Sequence, residues 1–292
     1  MSKIGLIIDE AADLPQEIVN KYQITAVPFI ITWPEGESLP GDNIFQQMRE
    51  AEKRGIRSLI DTSQPSPKQF IEIFKSKLQV YEKILCITIS SKLSGTFNSA
   101  VQAKDFLSGE EKGRVFVLDS LNGTAGEGLL VLKAAELIEA GKEIEEILEE
   151  LEKSLPGIKL SGLLEDPKWL EYSGRLSHTV ANWIRRMAKI GLKLLIGVKK
   201  GEVKAAGIKV GAKDVPTALF KELENKTKKS LKEGKKIRVV ITHGDYPEGA
   251  EKLKELIEAN LKGVEITFVN LIDRVLGARL GPGVLICSWT EI

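Results

Sequence analysis

Short, unbroken apolar runs alternate with stretches of helical periodicity through the first half of the chain. Residues 4–8, 26–32, 84–89 and 115–118 read as strands, because apolar runs of this length suit a sheet covered on both faces. Between them, residues 67–78, 96–107 and 126–140 carry apolar side chains at i, i+3 and i+4, the pattern of the crossover helices that a parallel sheet requires. This half is expected to form a doubly wound, mostly parallel α/β lobe with flanking helices. The second half has a different texture. A strand over 158–165 is followed by a short helix near 166–171 and a longer one over 179–190. Two apolar runs joined by Lys199-Lys200-Gly201 then signal a hairpin. Amphipathic helices over 213–232 and 246–262 alternate with strands over 237–244 and 264–270, so this lobe is expected to be mixed α/β. A Glu/Lys-rich helix stops at Pro156 and Gly157, which places the boundary between residues 1–156 and 157–292.

A chain of 292 residues with 42% apolar content can build two ordinary cores, and this agrees with the two-lobed reading. Its net charge of +1 provides no broad field for nucleic acid or an anionic membrane, so an acidic ligand must be recognised locally. No apolar run reaches the roughly 18 residues of a membrane span, and no secretory leader pattern opens the sequence. A cytoplasmic protein is expected. Cys86 and Cys287 each sit within an apolar run and read as packing residues. His178 and His243 lack neighbours at metal-ligand spacing, so no metal site is expected.

Three segments rich in small polar residues remain: DTSQPSP at 61–67, SSKLSGTFNSA at 90–100 and DSLNGTAGEG at 119–128. In an open parallel sheet, ligands bind where the carboxyl ends of strands feed loops and helix N-termini. Gly95 and Thr96 open a helix, so unpaired N–H groups and the positive end of the helix dipole face that rim. Hydroxyls of Thr62, Ser63, Ser94 and Thr96 would add neutral donors, which suits a carboxylate or phosphate. The competing reading is structural, since Ser, Thr and Asp cap helices and proline starts them. Neither GxGxxG nor GxxxxGK[ST] occurs, so a nucleotide has little support. An acyl-ester or thioester hydrolase using Ser94 would need His178 or His243 as base, and Ser94 is not in a GxSxG elbow. A binder of a small carboxylated or phosphorylated metabolite is a further alternative. Arg279, between glycines in an apolar run, and Arg175 are the cations suited to such an anion. Each is also open to an ordinary ion pair.

Taken in order, DEAADLP at 9–15, TSQPSPKQF at 62–70, SSKLSGTFNSA at 90–100, VFVLDS at 115–120, YSGRLS at 172–177 and GARLGPG at 277–283 resemble the DegV family of bacterial fatty-acid-binding proteins. The resemblance implies a two-lobed α/β carrier with a long-chain fatty acid in a tunnel between or within the lobes. It implies that Thr62, Ser63, Ser94, Gly95 and Thr96 surround the carboxylate, with no cofactor and no covalent step by the carrier itself. It further implies a partner fatty acid kinase that phosphorylates the bound acid for phospholipid synthesis. The chain departs from the family pattern at Arg279-Leu280, where a His-Thr pair is common, and at Glu10, Ser173 and Leu194. Arg279 would supply a permanent bidentate cation in place of a titratable one.

Overall fold

The apolar run at the start of the chain forms a strand, Ile4–Asp9, in which every residue is buried, as expected for a sheet covered on both faces. The computed structural model describes residues 3–32, 39–56, 61–172, 177–189, 192–210 and 214–292. Its strands are β1 (Ile4–Asp9), β2 (Thr25–Val27), β3 (Ile30–Thr32), β4 (Asp61–Ser63), β5 (Lys83–Thr88), β6 (Val115–Asp119), β7 (Lys159–Leu163), β8 (Leu192–Lys199), β9 (Glu202–Val210), β10 (Ile237–His243), β11 (Val264–Leu271) and β12 (Leu285–Glu291).

Two compact units emerge. The first comprises Met1–Ile30, Ser63–Ile158 and Lys199–Glu202, and the second Ile31–Thr62, Lys159–Val198 and Val203–Ile292. A single cut after residue 156 differs from this division mainly over Ile31–Thr62. That segment contains the helix Ile44–Lys53, whose Ile44, Phe45, Met48 and Ala51 are buried. Phe45 and Ile44 press on Gly277 so closely that a Cβ there would lie 2.7 Å from Phe45 Cζ. Amphipathic patterning shows that a helix has an apolar face, but it does not show which core receives that face.

The first unit holds a fully parallel sheet in the order β2-β1-β5-β6. The chain leaves β1 for one side and returns to β5 on the other, so the carboxyl ends of these two strands form the topological switch point. Phe70 and Phe74, on the helix Pro67–Leu78, pack with Ile7, Ile84, Cys86, Ala100 and Ala103 to form one face of the core. That helix has the bounds its pattern predicts. Ser66 and Gln69 cap it reciprocally, and Pro67 occupies the first turn. One expected strand is divided, since residues 26–32 supply the ends of both β2 and β3, which lie in different sheets. Pro28 offers no N–H between them, and the N–H of Phe29 donates to the Glu10 carboxylate at 3.0 Å.

In the second unit six strands run in the order β11-β10-β12-β7-β8-β9. The β10–β11 pair is parallel, while β10–β12, β12–β7 and β7–β8 are antiparallel, so both strand directions occur in the sheet of this unit, whose strands and helices make it α/β as expected. Leu219 and Leu223 on the helix Val215–Lys232, and Leu253 and Ile257 on Pro247–Asn260, cover its Val239, Ile241, Leu285 and Cys287. Both cysteines are buried free thiols, each packing within its own unit, as their sequence settings predict. No helix among the described residues is long and apolar enough to cross a membrane.

Candidate functional site

The loop after β5 sits at the switch point and is held there by two strand-end aspartates. Asp9, fully buried at the end of β1, accepts the N–H of Ile89 at 2.9 Å and that of Ala11 at 3.0 Å. Asp119, at the end of β6, accepts the N–H of Ser91 at 3.2 Å and of Leu121 at 2.9 Å. Buried Ser90 donates its hydroxyl to the Gly201 carbonyl at 2.8 Å and accepts the N–H of Lys92 at 3.2 Å. These contacts fix the backbone immediately before Ser94.

Ser94 and Thr96 share a hydroxyl–hydroxyl hydrogen bond of 2.8 Å, and Thr96 N–H donates to Ser94 Oγ at 3.3 Å. Thr96 is fully buried, so its hydroxyl proton goes to the available acceptor, Ser94 Oγ. Ser94, only half-buried, then accepts two hydrogen bonds and keeps its own O–H to donate. The helix Thr96–Asp105 begins at Gly95 with no side-chain cap from that residue and no acidic residue in its first turn. No carboxylate of its own first turn therefore compensates the positive end of its dipole. Together these groups can hold an anion with neutral donors.

The division between the units runs through the Thr62–Ser63 peptide bond, so the TSQPS motif belongs to both. In the first unit Ser63 is exposed, and the Gln64 side chain lies against Gly95. In the second, Arg279 donates from its guanidinium to Thr62 Oγ1, joining residues 217 apart in sequence. Accepting from a cation leaves the Thr62 O–H free to donate onward and strengthens it as a donor. Arg279 lies in the last turn of the helix Arg274–Leu280, where a cation is favoured by the dipole. This helix was not foreseen within the apolar C-terminal run. Asp273, which caps Val275 and Leu276 N–H at 2.7 and 3.1 Å, and Gly281, at φ 82°, are the start and stop signals that would have revealed it. Arg175 lies outside the described residues.

Among the described residues, Ser94 has no base among its hydrogen-bond partners. His178 is engaged at both ring nitrogens, by Glu171 at Nδ1 and by Asn182, 2.8 Å from Nε2. His243 accepts the N–H of Tyr246 at Nδ1 over 3.1 Å, and burial lowers its pKa below the usual imidazole value. A cavity of about 680 Å³ in the first unit opens near Lys3, Ile4 and Tyr81, at the amino ends of β1 and β5 and away from the Ser/Thr loops.

Against known proteins, the sequence profile described as "Uncharacterised protein, DegV family" matches residues 3–291. The chain belongs to the DegV family. A DegV domain-containing protein of Clostridium acetobutylicum is 38% identical over 238 residues, spanning 79% of this chain and 82% of the relative. A Thermotoga maritima protein described as a fatty acid-binding protein is 29% identical over 291 residues, 96% of this chain and 95% of the relative. A crystal structure from Thermus thermophilus, reported as fatty acid binding of a DegV family protein, superposes with a TM-score of 0.81. It is 29% identical, over 99% of this chain and 100% of that one. The match to a DegV structure agrees with the expected α/β class, and some DegV proteins, among them the Thermotoga maritima and Thermus thermophilus ones, are described as binding fatty acids.

Proposed function

We propose that this protein is a non-enzymatic carrier of a long-chain fatty acid, its carboxylate held by Ser/Thr hydroxyls and helix N-terminal amides. The observation that carries this reading is the Ser94–Thr96 pair, which leaves the Ser94 hydroxyl a proton to donate beside a helix N-terminus with no acidic residue in its first turn. Gly95, Ser63 and Thr62 are proposed as further carboxylate contacts on the family resemblance, with the Arg279 guanidinium strengthening Thr62 as a donor through the hydrogen bond between them. Arg175 is proposed as a second cation on the family resemblance alone.

A weakly charged head site suffices because the tail supplies the affinity. Each buried CH₂ contributes about 0.8 kcal/mol, so a chain of roughly 16 carbons offers on the order of 10 kcal/mol before ordering costs. The donors offset the several kcal/mol that burying an unpartnered carboxylate would cost. The same reading places the protein in the cytoplasm, handing its ligand to a fatty acid kinase. The family relatives described as fatty-acid binders support lipid as the ligand over a small metabolite. Mass spectrometry of solvent-extracted purified protein is expected to show about one long-chain fatty acid per chain. An empty protein that also fails to take up added palmitic acid overturns the reading.

A further inference from the structure

Gly95 is glycine for a reason its backbone does not supply. Its φ of −76° and ψ of 4° are open to any L-residue, so conformation does not exclude a side chain. Space does. A Cβ at this position would lie 2.8 Å from Cδ of Gln64 and 3.1 Å from its Oε1, and closer still to Nε2. The missing side chain thus makes room for the Gln64 amide directly beside the Ser94–Gly95–Thr96 backbone. Gln64 is itself exposed, and among the described residues its amide has no hydrogen-bond partner. A primary amide offers two N–H donors, and no described residue accepts from either.

We propose that Gln64 is a further head-group residue, its Nε2 donating to the second carboxylate oxygen while Ser94 Oγ–H donates to the first. This rests on the fatty-acid reading given above. A carboxylate has two oxygens and about four lone-pair sites, whereas Ser94 has one proton to give. The amide supplies the missing donor without formal charge. It also explains the order of residues in both motifs: Gln two places after Thr62, and Gly between the two hydroxyls. Arg279 with Thr62 strengthens a donor electrostatically, whereas Gln64 adds directional recognition of a planar two-oxygen group.

The test measures palmitic acid binding to the full chain by calorimetry for wild type, Gln64→Met, Gly95→Ala and the double variant. Methionine keeps the length of the side chain and removes its donors, and residue 64 is exposed, so this variant is expected to fold. Q64M should weaken binding about 10-fold, the effect expected for one charge-assisted hydrogen bond. Gly95→Ala, by pushing the amide aside, should weaken it comparably. The double variant should be no weaker than the worse single one, since both remove the same interaction. Gln64→Glu should bind more weakly than Q64M at pH 8 and recover as the pH falls toward the carboxylate range. Wild-type binding with unchanged affinity in Q64M overturns the role of Gln64 alone. Wild-type protein that binds no palmitic acid overturns the fatty-acid reading and this one with it.

Discussion

Replacing Ser94 by alanine separates what this side chain does for the loop from what it does for the ligand. Its Oγ accepts both the N–H and the hydroxyl of Thr96, and Thr96 is fully buried. Removing the oxygen leaves two buried donors without their acceptor, a cost of about 1–3 kcal/mol to the folded state. At about 2–4 °C per kcal/mol for a chain of this order of size, melting falls by several degrees. That cost is present with and without ligand, so it cancels from the binding constant. What remains in the binding constant is the lost O–H to the carboxylate, about 1.5–3 kcal/mol for a charge-assisted bond, or roughly 10- to 150-fold in Kd. Calorimetric titration of fatty acids of 14, 16 and 18 carbons gives a second check. Each CH₂ should change Kd about 4-fold in wild type and variant alike, because head and tail contributions add when the groups are far apart. Parallel lines of log Kd against carbon number, displaced by about 1–2 log units, are expected. A lower melting temperature with unchanged Kd would show that Ser94 only braces its loop. Lines of different slope would place it against the tail and refute the head-group assignment.

Two other perturbations follow from charges with defined partners. None of Thr62, Ser63, Ser94, Gly95, Thr96 and Arg279 titrates between pH 6 and 8, so wild-type affinity is expected to be flat across that range. Arg279→Met should weaken binding about 10-fold at every pH, whereas Arg279→His should bind progressively less well as pH rises through about 6.5; a pH-independent R279H would remove Arg279 from the site. Asp214 caps the helix Val215–Lys232 and pairs with Lys252. Burial pushes its carboxyl up, but Lys252 and the N–H of Thr217 more than offset this, and the pKa settles at about 2 against an ordinary 3.8. A lowered carboxylate pKa stabilises the fold above the ordinary value, and the contribution is lost as pH falls from 3.8 through 2. A shift of this size corresponds to roughly 2 kcal/mol, which solvent at the 28% exposed side chain reduces to about 1 kcal/mol. Asp214→Asn keeps the cap and removes the charge, so its melting temperature should lie below wild type at pH 6 and converge with it by pH 2; a gap constant to pH 2 would show that the charge is not the cause.

Most elements and part of the site are legible along the chain. Unbroken apolar runs found β1, β5 and β6, and the Ser66-Pro67 start placed the helix Pro67–Leu78 within its observed bounds. Ser94, Gly95 and Thr96 were legible as a loop and helix start, and so as candidates, because a strand, a small polar loop and a helix start follow one another within a dozen residues. The Asp9 and Asp119 braces were missed, since an aspartate at a strand end looks the same whether or not a distant N–H points at it. The approach of Gln64 to Gly95 was not legible, because Gln64 reads as an ordinary residue between Ser63 and Pro65.

The sequence by itself determined the kinds of elements, their order and the chemical types present at the loops, because periodicity and capping act over a few residues. Only the tertiary structure decided that the helix Ile44–Lys53 joins the second unit, that residues 26–32 split between two sheets, that Gln64 needs a glycine at 95, and that Arg279 meets Thr62. Those outcomes depend on which surfaces close on one another across tens to hundreds of residues, and the physical reason is that an apolar face or a hydrogen-bond donor carries no local record of its partner.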